Sequence, residues 1–434
     1  MTPGARHQAA IELLDEVAAT PRPADAVISA YFRSRRYIGS KDRSAVAEKV
    51  YAVLRRHARL RWWLERNGHG ADGRALVIAD EILANGRAAD AVARSFDGAR
   101  FSPPPFTPAE TRLARALETH TLEHPHMPEE TRAEVPDWAS GPLRDALGDA
   151  FAAEAAALRE PAPLDLRVNP VKGSREHALA LLAGMGVEAE ATRWSPLGIR
   201  VRGRPPVSTS EPFRNGLFEI QDEGSQLVAL LAGARPGQQV VDFCAGAGGK
   251  TLAMAAAMEN KGRVIACDVL ARRLERAAER FRRAGLHNIE TRALSSERDP
   301  WVKRHKGRFD RVLVDAPCSG TGTWRRNPDS RWRPLGPGLG ELVPLQEGIL
   351  DSAARLVKPG GRLVYATCSL LPEENDRRVE AFLAAHPEFT VVPMPLAWAE
   401  TIGTEPPGAG PYLALTPARH ETDGFFAAVL ERAA

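Results

Sequence analysis

The chain has 434 residues, a formal net charge of +3, and 44% apolar and 26% charged residues. These proportions describe a globular protein with room for two to four domains, and they exclude a disordered, fibrous or disulfide-stapled chain. No run reaches the roughly 18 to 20 apolar residues that span a bilayer, and the first 30 residues lack the compact apolar region of a secretory signal, so a cytoplasmic location without a membrane partner is expected.

In chain order, Ile11, Leu14 and Val17 recur at helical spacing, and Val46, Val50, Val53 and Leu54 repeat the pattern after a polar stretch at 40–43. Pro103, Pro104 and Pro105 break this helical region, an irregular stretch covers 120–136, and a helix over 143–158 closes it. A first, all-helical domain of residues 1–155 is predicted. Residues 156–215 mix strand signals at 166–168 and 198–201 with a helix at 178–182, which reads as a small α/β domain. From 216 to 434 the pattern is regular: an apolar strand at 240–243, a glycine-rich turn, an alanine-rich helix, a strand at 264–267 ending in Asp268, a helix striped by Leu274, Ala278 and Phe281, and strands at 312–315 and 363–366. That alternation is the opening of a doubly wound parallel sheet, so the fold class is α/β.

Charge is uneven along the chain. Arg33, Arg35, Arg36, Arg43, Arg55, Arg56, Arg59 and Arg61 crowd one segment, and Arg325, Arg326, Arg331 and Arg333 another, the composition of a locally basic surface for phosphates. The four cysteines, Cys244, Cys267, Cys318 and Cys368, form no CxxC pair, and His120, His124 and His126 lie in a proline-broken segment without a cysteine. No metal site is expected.

The glycine-rich turn runs Asp242-Phe243-Cys244-Ala245-Gly246-Ala247-Gly248-Gly249-Lys250-Thr251. Its place after a strand and at the start of a helix makes it a ligand loop. Cys244 stands where a Walker A loop needs glycine, and Thr251 where GxGxxG does, so neither a nucleoside triphosphate nor a dinucleotide is indicated. A loop that lets a ligand approach the backbone, followed by the strand-end carboxylate Asp268 for ribose hydroxyls, suits an adenosyl group without phosphates.

Two further strand ends carry Asp315-Ala316-Pro317-Cys318-Ser319-Gly320-Thr321-Gly322 and Ala366-Thr367-Cys368-Ser369. Two thiols are thereby directed to one crevice. Methylation of cytosine at C5 is chemistry that needs a thiolate: the ring carbon is too electron-poor to attack a methyl donor until sulfur adds to C6 and makes it enamine-like. A carboxyl bonded to ring N3 assists that addition, and Asp315, three residues before Cys318, is placed for it. A base stacked in a helix is out of reach, which favours RNA loops or a flipped nucleotide. The spacing alone does not order the two cysteines.

At these residues the chain resembles the Nop/Sun family of RNA cytosine-C5 methyltransferases, within it the bacterial branch that modifies 16S ribosomal RNA. The resemblance covers Gln221-Asp222-Glu223-Gly224-Ser225-Gln226, residues 244–251, residues 315–322, Arg325-Arg326-Asn327-Pro328-Asp329, residues 360–369 leading into Pro372-Glu373-Glu374-Asn375, and Asp423-Gly424-Phe425-Phe426. Asp42-Arg43 and Val50-Tyr51-Ala52-Val53-Leu54-Arg55 resemble the NusB-like RNA-binding domain of such enzymes, and Leu166-Arg167-Val168-Asn169 the start of their small domain.

The resemblance implies a Rossmann-like class I methyltransferase domain, S-adenosylmethionine as cofactor, small-subunit rRNA as partner and a monomer. It further implies that Cys368 is the nucleophile and that Cys318 assists in product release. Cys244, Ala245, Gly246, Ala247, Gly248, Gly249, Lys250, Asp268, Arg273 and Asp315 are the implied cofactor contacts, with Lys250 also near the base. Trp324, Arg325 and Arg326 are expected to contact RNA by stacking and phosphate pairing. Ala247 stands where the family usually has proline, and Leu294 where it has an aspartate on the adenine side, with Ser295 as a neighbouring polar substitute. The competing readings are an RNA-binding ribosome-assembly factor with weak catalysis, favoured only by Leu294, and a methyltransferase of the same fold acting on tRNA, DNA or protein.

Overall fold

In the computed structural model, which describes residues 1–333 and 335–434, the chain forms two compact units. The first contains Met1–Pro161 together with Trp324–Gly336, and the second contains Ala162–Thr323 and Pro337–Ala434.

The first unit is helical for reasons visible in the chain. Thr2 caps the helix Pro3–Ala19 by accepting from the Ala5 amide, and Thr107 and Glu110 form a reciprocal capping box on Pro108–Leu117. Leu13, Val27, Val46, Val50, Val53, Leu60, Leu64 and Ile78 are buried in one core. In place of one helix over 143–158 there are two, Asp137–Leu147 and Phe151–Arg159, separated by a 3-10 turn at Gly148–Ala150.

The segment Trp324–Gly336 lies inside the region predicted as one domain from 216 to 434, yet it packs in the helical unit. Its arginines explain why. The helix Pro3–Ala19 has no basic residue in its last turn, and Arg333 donates to the carbonyls of Val17 and Thr20 at that end, where a cation also opposes the helix dipole. Arg331, 2% exposed, donates to the Glu134 and Leu158 carbonyls, and Asp329 accepts from the Ala24 amide at 2.9 Å. Half of the second arginine cluster thus serves as internal scaffolding.

The second unit contains two sheets. The smaller is antiparallel with order β2-β3-β1-β4, where β1 is Leu164–Val168, β2 Ala189–Ala191, β3 Gly198–Val201 and β4 Phe218–Ile220. Its fourth strand lies past the boundary expected at 215. Leu166 pairs with Ile199 on one side and Ile220 on the other, and the helix Arg175–Gly184 contributes Ala178 and Leu182 to its core.

The larger sheet has eight strands: β5 Gln239–Asp242, β6 Arg263–Asp268, β7 Ile289–Ala293, β8 Phe309–Asp315, β9 Val357–Thr367, β10 Phe389–Val391, β11 Leu413–Leu415 and β12 Phe425–Arg432. The order is β10-β12-β9-β8-β5-β6-β7, with β11 also on β12. Strands β5 to β9 are parallel, and β10, β11 and β12 join antiparallel. The chain steps outward from β5 to β7 and returns to β8 on the other side of β5, and the carboxyl ends at such a reversal open a ligand crevice. The helix Ala271–Ala284 buries Leu274, Ala277, Phe281 and Ala284. Ala277, seven residues before Ala284 and four before Phe281, lies nearer the centre of that face than the predicted Ala278, which is half-buried.

Candidate active site

Asp242 ends β5, and the loop after it is shaped by backbone bonds to both neighbouring strands. The Phe243 amide donates to the Leu313 carbonyl and the Ala245 amide to that of Cys267, each at 2.8 Å. Gly248 then turns the chain into the helix Gly249–Ala257 at φ +77°, and a Cβ there would lie 2.6 Å from the Phe281 ring, so both the backbone angle and the space require glycine. Two arginines brace the loop: Arg280 donates to the Ala247 carbonyl, and buried Arg167 to that of Gly249 at 2.7 Å.

Asp268, at the end of β6, accepts from the Gly246 amide at 2.9 Å with one oxygen and from the Leu270 amide at 2.7 Å with the other. It therefore fixes the loop as well as facing the cavity beside it. That cavity, about 590 Å³, is lined by Cys244, Ala245, Gly246, Ala247, Gly249, Lys250, Asp268, Arg273 and Asp315, all expected from the sequence except that Gly248 underlies the loop instead of lining it. Val269 and Leu270 at its wall are 56% and 49% exposed. Two apolar side chains left in water directly after a carboxylate, facing Leu294, Pro317 and Ile349 across the cavity lining, suit a flat aromatic ring joined to a polyhydroxyl group. An adenosyl cofactor fits this donor set. Ser295 is not in the lining; its amide and hydroxyl both bond Asp299, whose carboxyl those contacts hold down to about 2.

Lys250 joins the cavity to the thiols. Its ammonium contacts Asp315 at 2.6 Å, lies 5.3 Å from the Phe425 ring centre and is 8% exposed. Burial would lower its pKa, but the charges of Asp315 and Cys368 outweigh that and raise it. The Cys318 and Cys368 sulfurs, at the ends of β8 and β9, are 3.4 Å apart and not bonded as a disulfide. The hydrogen bond to Cys368, followed by burial, pushes the Cys318 thiol up. Burial likewise raises Cys244, in the loop, and Cys267, in the sheet core.

The two cysteine loops are cross-braced by residues without a predicted role. The Gly322 amide donates to the Cys368 carbonyl at 3.0 Å, and the Gly424 amide to the Gly322 carbonyl at 2.8 Å. Thr367 bonds Asn375, Asn375 donates to the Ser369 carbonyl, and Glu374 accepts from Ser319. Glu374 and Asn375 belong to a polar run that was legible in the sequence, but only the fold shows what they hold.

Trp324 is a correction. Its ring is 0% exposed in the helical unit, edge-on to Trp138 at 6.1 Å and 5.2 Å from the Arg331 guanidinium, so it is a packed core group with no face open to a base. Arg325 is 5% exposed, and its carbonyl accepts from Arg55; Arg326 keeps partial exposure. Among the described residues, no group of three or more His, Cys, Asp or Glu could hold a metal, and no helix is long and apolar enough to cross a membrane.

Comparison with known proteins bears on the same residues. A family described as 16S rRNA methyltransferase RsmB/F matches residues 229–431, and one described as the ferredoxin-like domain of RsmF/B-like methyltransferases matches 135–208. The chain is 37% identical over 324 residues to ribosomal RNA small subunit methyltransferase B of Sodalis glossinidius, covering 74% of this chain and 69% of that protein. It is 34% identical over 301 residues to the protein of that name from Citrobacter koseri, covering 69% and 67%. Among solved structures, PH0851 is similar over 100% of this chain and 99% of its own, with a TM-score of 0.80 and 27% identity. A methyltransferase homolog from Pyrococcus horikoshii covers 70% of this chain and 97% of its own, with a TM-score of 0.59 and 27% identity. With two thirds or more of these relatives covered at over 30% identity, the protein belongs to the RsmB/F family of 16S rRNA methyltransferases.

Proposed function

We propose that this S-adenosylmethionine-dependent rRNA methyltransferase methylates C5 of a cytosine in small-subunit rRNA, with Cys368 as the covalent nucleophile and Cys318 assisting release. The observation that carries the reading is the pair of thiols 3.4 Å apart, one of them electrostatically coupled to a buried lysine that also lines the cofactor cavity.

The residues do the following work. Cys368, as thiolate, adds to C6 of the cytosine, and Lys250 with Asp315 holds the proton that ring N3 takes up as the charge develops. Addition leaves C5 as the nucleophilic carbon. The loop 244–249, Asp268 and Arg273 would hold S-adenosylmethionine, which supplies the electrophilic methyl group. Loss of the C5 proton to solvent re-forms the C5=C6 bond, returns the N3 proton to Lys250 and expels the Cys368 sulfur, to which the Cys318 thiol, within hydrogen-bond reach, donates a hydrogen bond as it leaves. The apolar wall of Val269, Leu270, Leu294 and Ile349 would take the flat adenine ring of the cofactor. The helical unit, with its arginine-rich first 61 residues, is assigned to RNA binding as a NusB-like domain, and Arg326 to phosphate contact.

The test is transfer of labelled methyl to 16S rRNA from a strain lacking this protein, comparing wild type, Cys368→Ala and Cys318→Ala. The reading requires 5-methylcytosine from wild type, none from Cys368→Ala, and a trapped protein–RNA adduct from Cys318→Ala. Full activity in Cys368→Ala would overturn it.

A further inference from the structure

The loop carrying Cys318 has no regular structure of its own between β8 and the turn at Thr321–Thr323, and side chains from elsewhere hold it, Glu374 foremost. Glu374, 0% exposed, accepts from the Ser319 amide at 2.8 Å and from the Ser319 hydroxyl. Its first oxygen also accepts from Gln346 at 2.9 Å, and the same Gln346 amide group donates to the Pro317 carbonyl at 2.9 Å. The residues on both sides of Cys318 are therefore tied to one buried carboxylate. Tyr365 donates to the Glu374 carbonyl at 2.7 Å and fixes its backbone.

The partners of that carboxylate are unusual in one respect. Among the described residues all its donors are neutral, and no lysine or arginine pairs with it. A buried carboxylate without a cation is costly to keep, and a purely structural brace could be made with a neutral side chain. The charge of Cys368 acts instead on the Lys250 ammonium, whose pKa it helps Asp315 to raise. Of the two thiols 3.4 Å apart, Cys318 is thus the one whose neighbouring residue is held by an anion, and the charge of Glu374 adds to the rise that the Cys368 hydrogen bond and burial impose on it.

We propose that Glu374 is a positioning residue that assigns the proton of the cysteine pair: it holds Cys318 as the neutral thiol that donates to Cys368, leaving the charge on the sulfur that attacks. One proton is shared by two sulfurs, no bond to carbon changes, and no further reactant is needed. The assignment rests on the covalent reading above and adds what the spacing of the motifs could not supply, a physical reason for the order of the two cysteines. The negative charge of Glu374 disfavours a thiolate at Cys318, which leaves the charge to the other sulfur of the pair.

The experiment is alkylation of the full-length protein with iodoacetamide between pH 6 and 9, with each cysteine followed by peptide mass spectrometry, in wild type, Glu374→Gln and Ser319→Ala. In wild type Cys368 is expected to label first. Glu374→Gln keeps the shape and removes the charge, so labelling of Cys318 relative to Cys368 at pH 8 should rise roughly tenfold, the change in thiolate fraction for one pKa unit. Ser319→Ala loosens the loop but keeps the charge and should leave that ratio within about twofold. Equal shifts in the two variants, or none in Glu374→Gln, would overturn the assignment. So would faster labelling of Cys318 than Cys368 in wild type, a result that depends on no variant folding. Cys318→Ala incubated with rRNA separates the two readings: without an adduct the covalent mechanism fails, and with an adduct but an unmoved alkylation ratio only the role of Glu374 fails.

Discussion

Asp242 offers a quantitative test of how the cofactor loop is built. Its carboxyl is 1% exposed at the end of β5; one oxygen accepts from the Thr251 hydroxyl at 2.6 Å, and the other has no partner among the described residues. Burial raises its pKa from 3.8 to about 7, with the nearby Asp315 adding to the shift and the Thr251 bond opposing it. Because the folded state holds this proton more tightly than the unfolded chain, the contribution is present below the unfolded pKa and is lost as pH rises toward the folded one. The full shift corresponds to about 4 kcal/mol, of which roughly 2 to 3 kcal/mol falls between pH 5 and 7. Asp242→Asn is neutral at every pH and preserves the acceptor for Thr251. Its stability relative to wild type should therefore climb by that amount across this range. Scanning calorimetry at pH 5, 6, 7 and 8 reads the difference, following the transition that S-adenosylmethionine moves upward, since a ligand stabilises the unit that binds it. Parallel pH profiles for the two proteins would refute the argument and place the Asp242 proton equilibrium near that of the unfolded chain.

Two further outcomes follow from packing. A Cβ on Gly322 would lie 2.3 Å from the Gly424 carbonyl oxygen, backbone against backbone, so Gly322→Ala should cost about 1 to 3 kcal/mol as an overpacked site. It should also lower methyl transfer more than cofactor binding measured by calorimetric titration, because Gly322 itself bonds Cys368 and is not in the cavity lining. Trp324→Ala should destabilise the helical unit by about 3 to 5 kcal/mol, the range for a fully buried large ring, as measured by urea unfolding. Weakened RNA binding without any loss of stability would instead return that ring to the RNA surface.

The catalytic half of the molecule was legible because parallel strands and their ends write themselves locally. Buried apolar runs of four to seven residues, a glycine-rich turn before a helix, and carboxylates at strand ends are properties of adjacent residues. Hence the loop after Asp242, Asp268, Asp315 and both cysteines could be named before their geometry was known. The departures arose where a contact joins distant parts of the chain. Arg331 and Arg333 look like phosphate ligands by type, but their guanidinium groups satisfy helix-end carbonyls about 170 to 320 positions away. Trp324 went the same way, since a ring beside arginines is as suited to a packed core as to a stacked base.

What the chain determined by itself was the sheet, the crevice and the residue types that reach it. Only tertiary structure decided that the sulfurs are 3.4 Å apart, that Lys250 pairs with Asp315 and Glu374 holds the residue after Cys318, and that residues 324–336 belong with the helices. The reason is physical: the reactivity of a thiol depends on the charges and burial around it, and those come from β8, β9, the glycine-rich loop and the turn at Pro372–Glu374, which no local pattern brings together.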